Sequence, residues 1–240
     1  ARELTPEASG VLSDRQFAWN AALDAGVGAS GCGLICSADR FVPAHGQLVG
    51  EVEIDRLVDP VRVRDQGGLA LKLLVIHRPD QGADARRKMV DEFVASCAAA
   101  GIARIVEPVC RRPLDDGVAW NHDDAIVAVA HELGDRGADL YKGEMPLLGS
   151  GDVEEMRQRC RAVTRAVASP WVILSSGVAE ADFPGSVRIA CEEGASGFLA
   201  GRAVWASCLG APDVVACLRH AAARRLRTFA AAADEAVATR

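Results

Sequence analysis

Short, almost unbroken apolar runs alternate along this chain with longer stretches in which apolar residues recur every three or four positions. The runs predict strands at residues 8–12, 33–37, 69–76, 104–109, 139–144, 171–175 and 197–200, because strands covered on both faces read as continuous hydrophobic segments. The longer stretches predict helices. Residues 84–100 place Met89, Val90, Phe93, Val94 and Cys97 on one face, and residues 123–136, 153–168 and 186–193 read likewise. Asp182 or Ser186 is placed to cap the last of these. Residues 213–239, rich in alanine and arginine, predict a helical tail in one or two pieces. Residues 41–66 read as a long loop, with local extension at 61–63.

Strands alternating with helices imply a parallel sheet with helical crossovers. Seven strands is one short of a (β/α)8 TIM barrel, and the missing one would be the first. A doubly wound open sheet is the rival, but no G-x-G-x-x-G follows an early strand. The absence of a linker or repeat predicts a single domain over residues 1–240. The chain opens at Ala1 and its first methionine is Met89, so an N-terminally incomplete domain is expected.

Composition narrows the function classes. A net charge of −6, without a basic patch interleaved with aromatics, argues against nucleic acid. No apolar run reaches the roughly 18 residues that a membrane span needs. The eight cysteines contain no C-x-x-C, which predicts buried free thiols and a reducing cytoplasm rather than disulfides or metal. His45, His77, His122, His131 and His220 show no metal-ligand spacing, so neither metal nor cofactor is expected.

Candidate chemistry enters through lysine. Of 27 Lys plus Arg, three are lysine. Lys88 lies on a helix beside Arg86 and Arg87 and reads as solvated, but Lys72 and Lys142 stand inside apolar strand-like runs. A desolvated lysine can lose its proton and attack a carbonyl, which a guanidinium cannot do. In a barrel, functional groups gather at the C-terminal ends of strands. Asp39, Glu107 and the pair Lys142 and Glu144 on one strand face fall there, and Lys72 sits within its strand. Each has a plainer reading: Asp39 as a turn cap, Glu107 as a rim carboxylate, and the lysines as structural cations paired with Glu107 and Glu144. Together they would be a costly set of buried charges without a function. Ser175, Ser176 and Gly177 end the sixth run, and Gly201 and Arg202 end the seventh. Barrels often bind phosphate at that place through backbone N–H groups, and Arg202 would add a bidentate charge. His77 and Arg78 end the third run, and Arg78 is a candidate for a substrate anion, as is Arg111.

The segments at residues 138–146 (ADLYKGEMP), 170–178 (PWVILSSGV) and 194–205 (GASGFLAGRAVW), with 66–75 (QGGLALKLLV) and 106–109 (VEPV), resemble the class I, Schiff-base aldolases of the tagatose-1,6-bisphosphate aldolase superfamily. Within that superfamily the closer resemblance is to the 6-deoxy-6-sulfofructose-1-phosphate aldolases of sulfoquinovose degradation. It implies a (β/α)8 barrel with Lys142 as the imine-forming residue and Lys72, Glu107 and Asp39 in support. Ser175, Ser176, Gly177, Gly201 and Arg202 would hold the ketose phosphate. The implied reaction yields dihydroxyacetone phosphate and 3-sulfolactaldehyde, with a tagatose or fructose 1,6-bisphosphate aldolase as the alternative and a non-catalytic sugar-phosphate-binding barrel as a rival of another class. The expected partners are a small sugar phosphate and further copies of the chain.

Overall fold

The computed structural model describes residues 2–240. The strands are β1 (Gly10–Asp14), β2 (Gly33–Ser37), β3 (Asp39–Ala44), β4 (Gln47–Ile54), β5 (Gly68–His77), β6 (Ala103–Cys110), β7 (Leu140–Glu144), β8 (Trp171–Leu174) and β9 (Phe198–Leu199). Seven of them pair in parallel in the order β1-β2-β5-β6-β7-β8-β9. The helices are α1 (Trp19–Asp24), α2 (Pro60–Asp65), α3 (Ala83–Ala100), α4 (His122–Leu133), α5 (Val153–Ala166), α6 (Phe183–Glu192), α7 (Arg202–Trp205), α8 (Val214–Cys217) and α9 (Ala223–Ala238). The architecture is a (β/α)8 barrel lacking one strand. The open seam lies between β1 and β9.

The period of two along each strand divides the interior into two layers. Leu34, Leu71, Leu73, Val75, Val106, Tyr141 and Ile173 face outward and share a core with helix residues such as Val90, Phe93, Ile126, Val129, Met156 and Val187. Burying each such aliphatic or aromatic side chain contributes about 1.5–3 kcal/mol. Ile35, Ala70 and Ile105 face inward and form a second, smaller cluster with Leu12, Ala103 and Leu140. This apolar plug fills the barrel below the site. Two residues further along β2, β5, β6 and β7 the same inward face carries Ser37, Lys72, Glu107 and Lys142.

Residues 41–66 differ from the sequence expectation. They hold most of the antiparallel hairpin β3–β4 and then α2, rather than a loop. The hairpin turns at His45 and Gly46, both with positive φ (53° and 70°), which suits the twist of a tight hairpin. Residues 61–63 are helical, because Asp59 accepts a hydrogen bond from the Val61 N–H at 3.0 Å and Pro60 opens the first turn. Asp182 stands at the N-cap of α6 without a side-chain cap, and Ser186 lies inside the helix, its hydroxyl donating to the Asp182 carbonyl at 3.0 Å. The helical tail does come in pieces, α8 and α9 joined by a π-helical turn at Leu218–Ala222.

Free thiols were expected throughout, but Cys208 and Cys217 form a disulfide. The turn between α7 and α8 brings their Cα atoms to 5.5 Å, within the reach of such a bond. Cys32, Cys36, Cys97, Cys110, Cys160 and Cys191 are free and buried. Among the described residues no helix is long and apolar enough to cross a membrane.

Candidate active site

Lys72, Glu107 and Lys142 reach one plane because β5, β6 and β7 are staggered neighbours. Lys72 is level with Ile105, and Glu107 with Leu74, while Val106 is level with Tyr141. Flexible side chains close the remaining offset. The Lys142 Nζ donates to Glu107 Oε1 at 2.6 Å. The other Glu107 oxygen lies 3.2 Å from Lys72 Nζ. Lys72 in turn donates to both Asp39 oxygens, at 2.8 and 2.7 Å, and the Ser37 hydroxyl donates to the same carboxylate. The result is an alternating ladder, Asp39–Lys72–Glu107–Lys142. Its side chains are deeply buried: that of Asp39 is fully inaccessible, and the other three are exposed by 8% or less.

Burial shifts the two lysines in opposite directions. Desolvation pushes the Lys142 amine below its ordinary value, and Lys72 adds repulsion, while Glu107 opposes both only in part. Desolvation acts on Lys72 as well, but two flanking carboxylates outweigh it and hold Lys72 above the usual range. Burial alone would raise the Glu107 carboxyl, and the two ammonium groups bring it below its ordinary value instead. The ladder therefore contains one firmly charged lysine, one firmly ionised carboxylate and one lysine that loses its proton more readily. That is the arrangement an amine nucleophile needs.

Glu144 is on the same strand face as Lys142 but pairs with neither lysine. One of its oxygens accepts the Cys110 backbone N–H at 2.6 Å and lies 3.6 Å from His122 Nε2. His122 was not among the sequence candidates. No spacing relates it to the lysines; the start of α4 brings it across the mouth of the barrel.

Ser175 and Ser176 are half-buried after β8, and Gly177 follows exposed with φ +77°. A Cβ at Gly177 would come within 2.9 Å of Leu148 Cδ2. Leu148 belongs to the turn after β7, where Leu147 and Leu148 both adopt positive φ (54° and 49°). Such backbone is sparsely populated for a leucine and is held here by the Leu147 N–H donating to Asp123 Oδ1 at 2.7 Å. Gly201 and Arg202 follow β9 at the start of α7, and Arg202 is exposed, with no carboxylate partner among the described residues. The two loops thus end adjacent strands, with a free guanidinium beside them. Arg78 is placed differently. It is 1% exposed, and it donates to the Arg112 carbonyl and, at 3.1 Å, to Gln47 of the hairpin. Its Nε has no hydrogen-bond partner among the described residues. Among the described residues no three His, Cys, Asp or Glu side chains converge as a metal site.

A parallel barrel with a buried, deprotonation-prone lysine among carboxylates has the chemistry of an amine nucleophile that can form an imine with a carbonyl. Residues 1–207 match the DeoC/LacD family of aldolases, and the chain belongs to that family. It is 26% identical over 232 residues to the tagatose 1,6-diphosphate aldolase of Listeria monocytogenes, covering 86% of this chain and 67% of that protein. The fold is similar to that of fructose-bisphosphate aldolase from Plasmodium falciparum (TM-score 0.69, 14% identity, 95% of this chain and 78% of that one). It is also similar to an archaeal fructose-1,6-bisphosphate aldolase whose catalytic lysine is covalently bound to a carbinolamine intermediate (TM-score 0.65, 15% identity, 94% and 78%). The protein is a class I aldolase.

Proposed function

We propose that this aldolase cleaves 6-deoxy-6-sulfofructose 1-phosphate to dihydroxyacetone phosphate and 3-sulfolactaldehyde, with Lys142 as the Schiff-base residue. The observation that carries the choice of lysine is the ladder. Lys142 is the member whose amine is pushed toward the neutral form, while Lys72 is held charged beside it. The sulfo-sugar is supported by the segments at 138–146, 170–178 and 194–205, which resemble aldolases of that substrate. Sequence similarity to a tagatose 1,6-diphosphate aldolase supports a second reading, with phosphate at C6. The two readings share all steps at Lys142.

In this mechanism the Lys142 amine attacks the C2 ketone and water leaves. The resulting iminium draws the C3–C4 bonding electrons as a base takes the C4 hydroxyl proton, and the aldehyde departs. The enamine takes a proton at C3, and hydrolysis frees Lys142 and dihydroxyacetone phosphate. Glu107 and Glu144 are the proton carriers within reach. Lys72, with Asp39 behind it, keeps Lys142 prone to deprotonation. Ser175, Ser176, Gly177, Gly201 and Arg202 hold the C1 phosphate, and Arg78 braces the hairpin beside the mouth. The chain acts as one domain, as a homo-oligomer in the cytoplasm, with no cofactor.

Borohydride reduction in the presence of substrate, followed by peptide mass spectrometry, tests the assignment. The expected result is a stable adduct on Lys142 and its loss in Lys142→Ala, with activity falling by about 10⁴-fold or more, as for an essential nucleophile. An adduct elsewhere, or an active Lys142→Ala, refutes it. Comparing kcat/KM for the sulfo-sugar and the two bisphosphates decides between the substrate readings.

A further inference from the structure

Leu147, Leu148 and Gly149 follow β7 in left-handed backbone, with φ of 54°, 49° and 71°. Glycine adopts such angles freely, whereas a residue with a Cβ does so at a cost. Two leucines in succession therefore need to be held. One restraint lies within the turn, where the Ser150 N–H donates to the Leu147 carbonyl at 3.0 Å. The other comes from outside it: Asp123 Oδ1 accepts the Leu147 N–H at 2.7 Å. Asp123 stands in the first turn of α4 but does not cap that helix. Asn121 does so, its side chain accepting from the N–H groups of Asp123 and Asp124 at 2.9 and 3.0 Å. The Asp123 carboxylate, 17% exposed, is left to hold a separate segment.

The turn delivers two contacts. Leu148 lies against Gly177, where an added Cβ would come within 2.9 Å of Leu148 Cδ2. Gly149 lies against the next residue and against α6: a Cβ there would meet Val178 Cγ1 at 2.9 Å, and Ser186 Oγ closer still. Successive residues of the turn thus touch successive residues of the loop after β8. That loop is itself a tight turn, with Gly177 at φ +77° and the Val178 N–H donating to the Ser175 carbonyl at 3.3 Å. We infer that Asp123 is a positioning residue for substrate binding: by holding residues 147–149 left-handed, it fixes the loop at 175–177 in the shape that takes a phosphate. This rests on the reading above in which that loop holds the C1 phosphate. Asp123 acts through the turn. Without its carboxylate Leu147 relaxes to ordinary backbone, Leu148 moves off Gly177, and the loop loses its support.

The test reads binding of glycerol 3-phosphate, a phosphate monoester without the ketone, by calorimetry, alongside kcat and KM for cleavage. In Asp123→Ala the dissociation constant and KM rise together by about 10-fold, below what loss of a direct charge-assisted contact costs, with kcat within about threefold. Asp123→Asn keeps an acceptor oxygen and stays within about threefold of the wild type. Adding Leu147→Gly to Asp123→Ala brings the dissociation constant back toward the wild type, because glycine takes the left-handed angle without a clamp. Leu148→Ala leaves Asp123 in place, shortens the contact on Gly177 and weakens binding as Asp123→Ala does. It carries the test if thermal unfolding shows that Asp123→Ala does not fold. Arg202→Ala and Gly177→Ala report on the phosphate reading itself. If they weaken glycerol 3-phosphate while Asp123→Ala and Leu148→Ala do not, the inference alone is overturned. Asp123→Asn as weak as Asp123→Ala, no recovery with Leu147→Gly, or a fall in kcat at unchanged binding also overturns it. If neither Arg202→Ala nor Gly177→Ala weakens binding, the phosphate reading falls and this inference with it.

Discussion

Replacing Lys72 by methionine keeps the length of the side chain and removes its charge, which exposes how the ladder is held together. Lys72 supplies two charge-assisted hydrogen bonds to Asp39, at 2.8 and 2.7 Å, and a 3.2 Å contact to Glu107. Without it, the inaccessible Asp39 carboxylate retains the Ser37 hydroxyl as a donor, and Glu107 keeps Lys142. A hydrogen bond to a charged group is worth about 1.5–3 kcal/mol, and breaking a buried pair from one side costs about 3–5 kcal/mol. Lys72→Met should therefore lose about 3–5 kcal/mol in urea unfolding followed by fluorescence of the buried Trp19 and Trp171. For a chain of this size that is a fall in Tm of about 6–20 °C. Adding Asp39→Asn removes the stranded carboxylate, so the double variant should recover at least about 2 kcal/mol of that loss. A loss under about 1 kcal/mol in Lys72→Met, or a double variant as unstable as the two single ones combined, would refute the idea that the charges hold one another in place.

In Lys72→Met the repulsion that helps Lys142 deprotonate is gone, so the acid limb of kcat/KM should move to higher pH; an unmoved limb would mean that burial alone sets the amine. The Glu107 carboxyl is held below its ordinary value of 4.5. Its contribution to stability is complete above that value and is lost as pH falls through the depressed folded value, so Glu107→Gln should flatten the acid side of the stability profile, read by unfolding at a series of pH values. Arg202→Ala should raise KM for the phosphorylated substrate by about 10–100-fold with little change in unfolding midpoint, as for one charge-assisted contact. Gly177→Ala places a Cβ 2.9 Å from Leu148 Cδ2 at φ +77°, so KM should rise more than kcat falls, at a stability cost of about 1–2 kcal/mol.

All seven sheet strands lie within two residues of where the apolar runs placed them, because strands buried on both faces carry their signature in composition alone. The inward positions of Lys72, Glu107 and Lys142 were likewise legible, since a charge inside such a run has a determined side. What the sequence hid depends on contacts between distant segments. Glu107 serves both lysines, whereas pairing each lysine with its own glutamate was equally compatible with the sequence. The β3–β4 hairpin lies outside the main sheet and mixes polar and apolar residues without a continuous apolar run, and so looked like loop. His122 reaches Glu144 only because the residues before α4 cross the barrel mouth, and Cys208 meets Cys217 through a turn that no cysteine spacing announces.

The ladder has a consequence for which chemical state the barrel prefers. With both lysines protonated, its four charges sum to zero. An iminium on Lys142 carries the same positive charge as the ammonium, so the ladder accommodates the resting residue and the electron-poor intermediate alike. The free amine and the enamine are the states that leave it one charge out of balance. Burial nevertheless favours the free amine of Lys142, so the balance of charge eases the iminium stage without holding the resting lysine protonated.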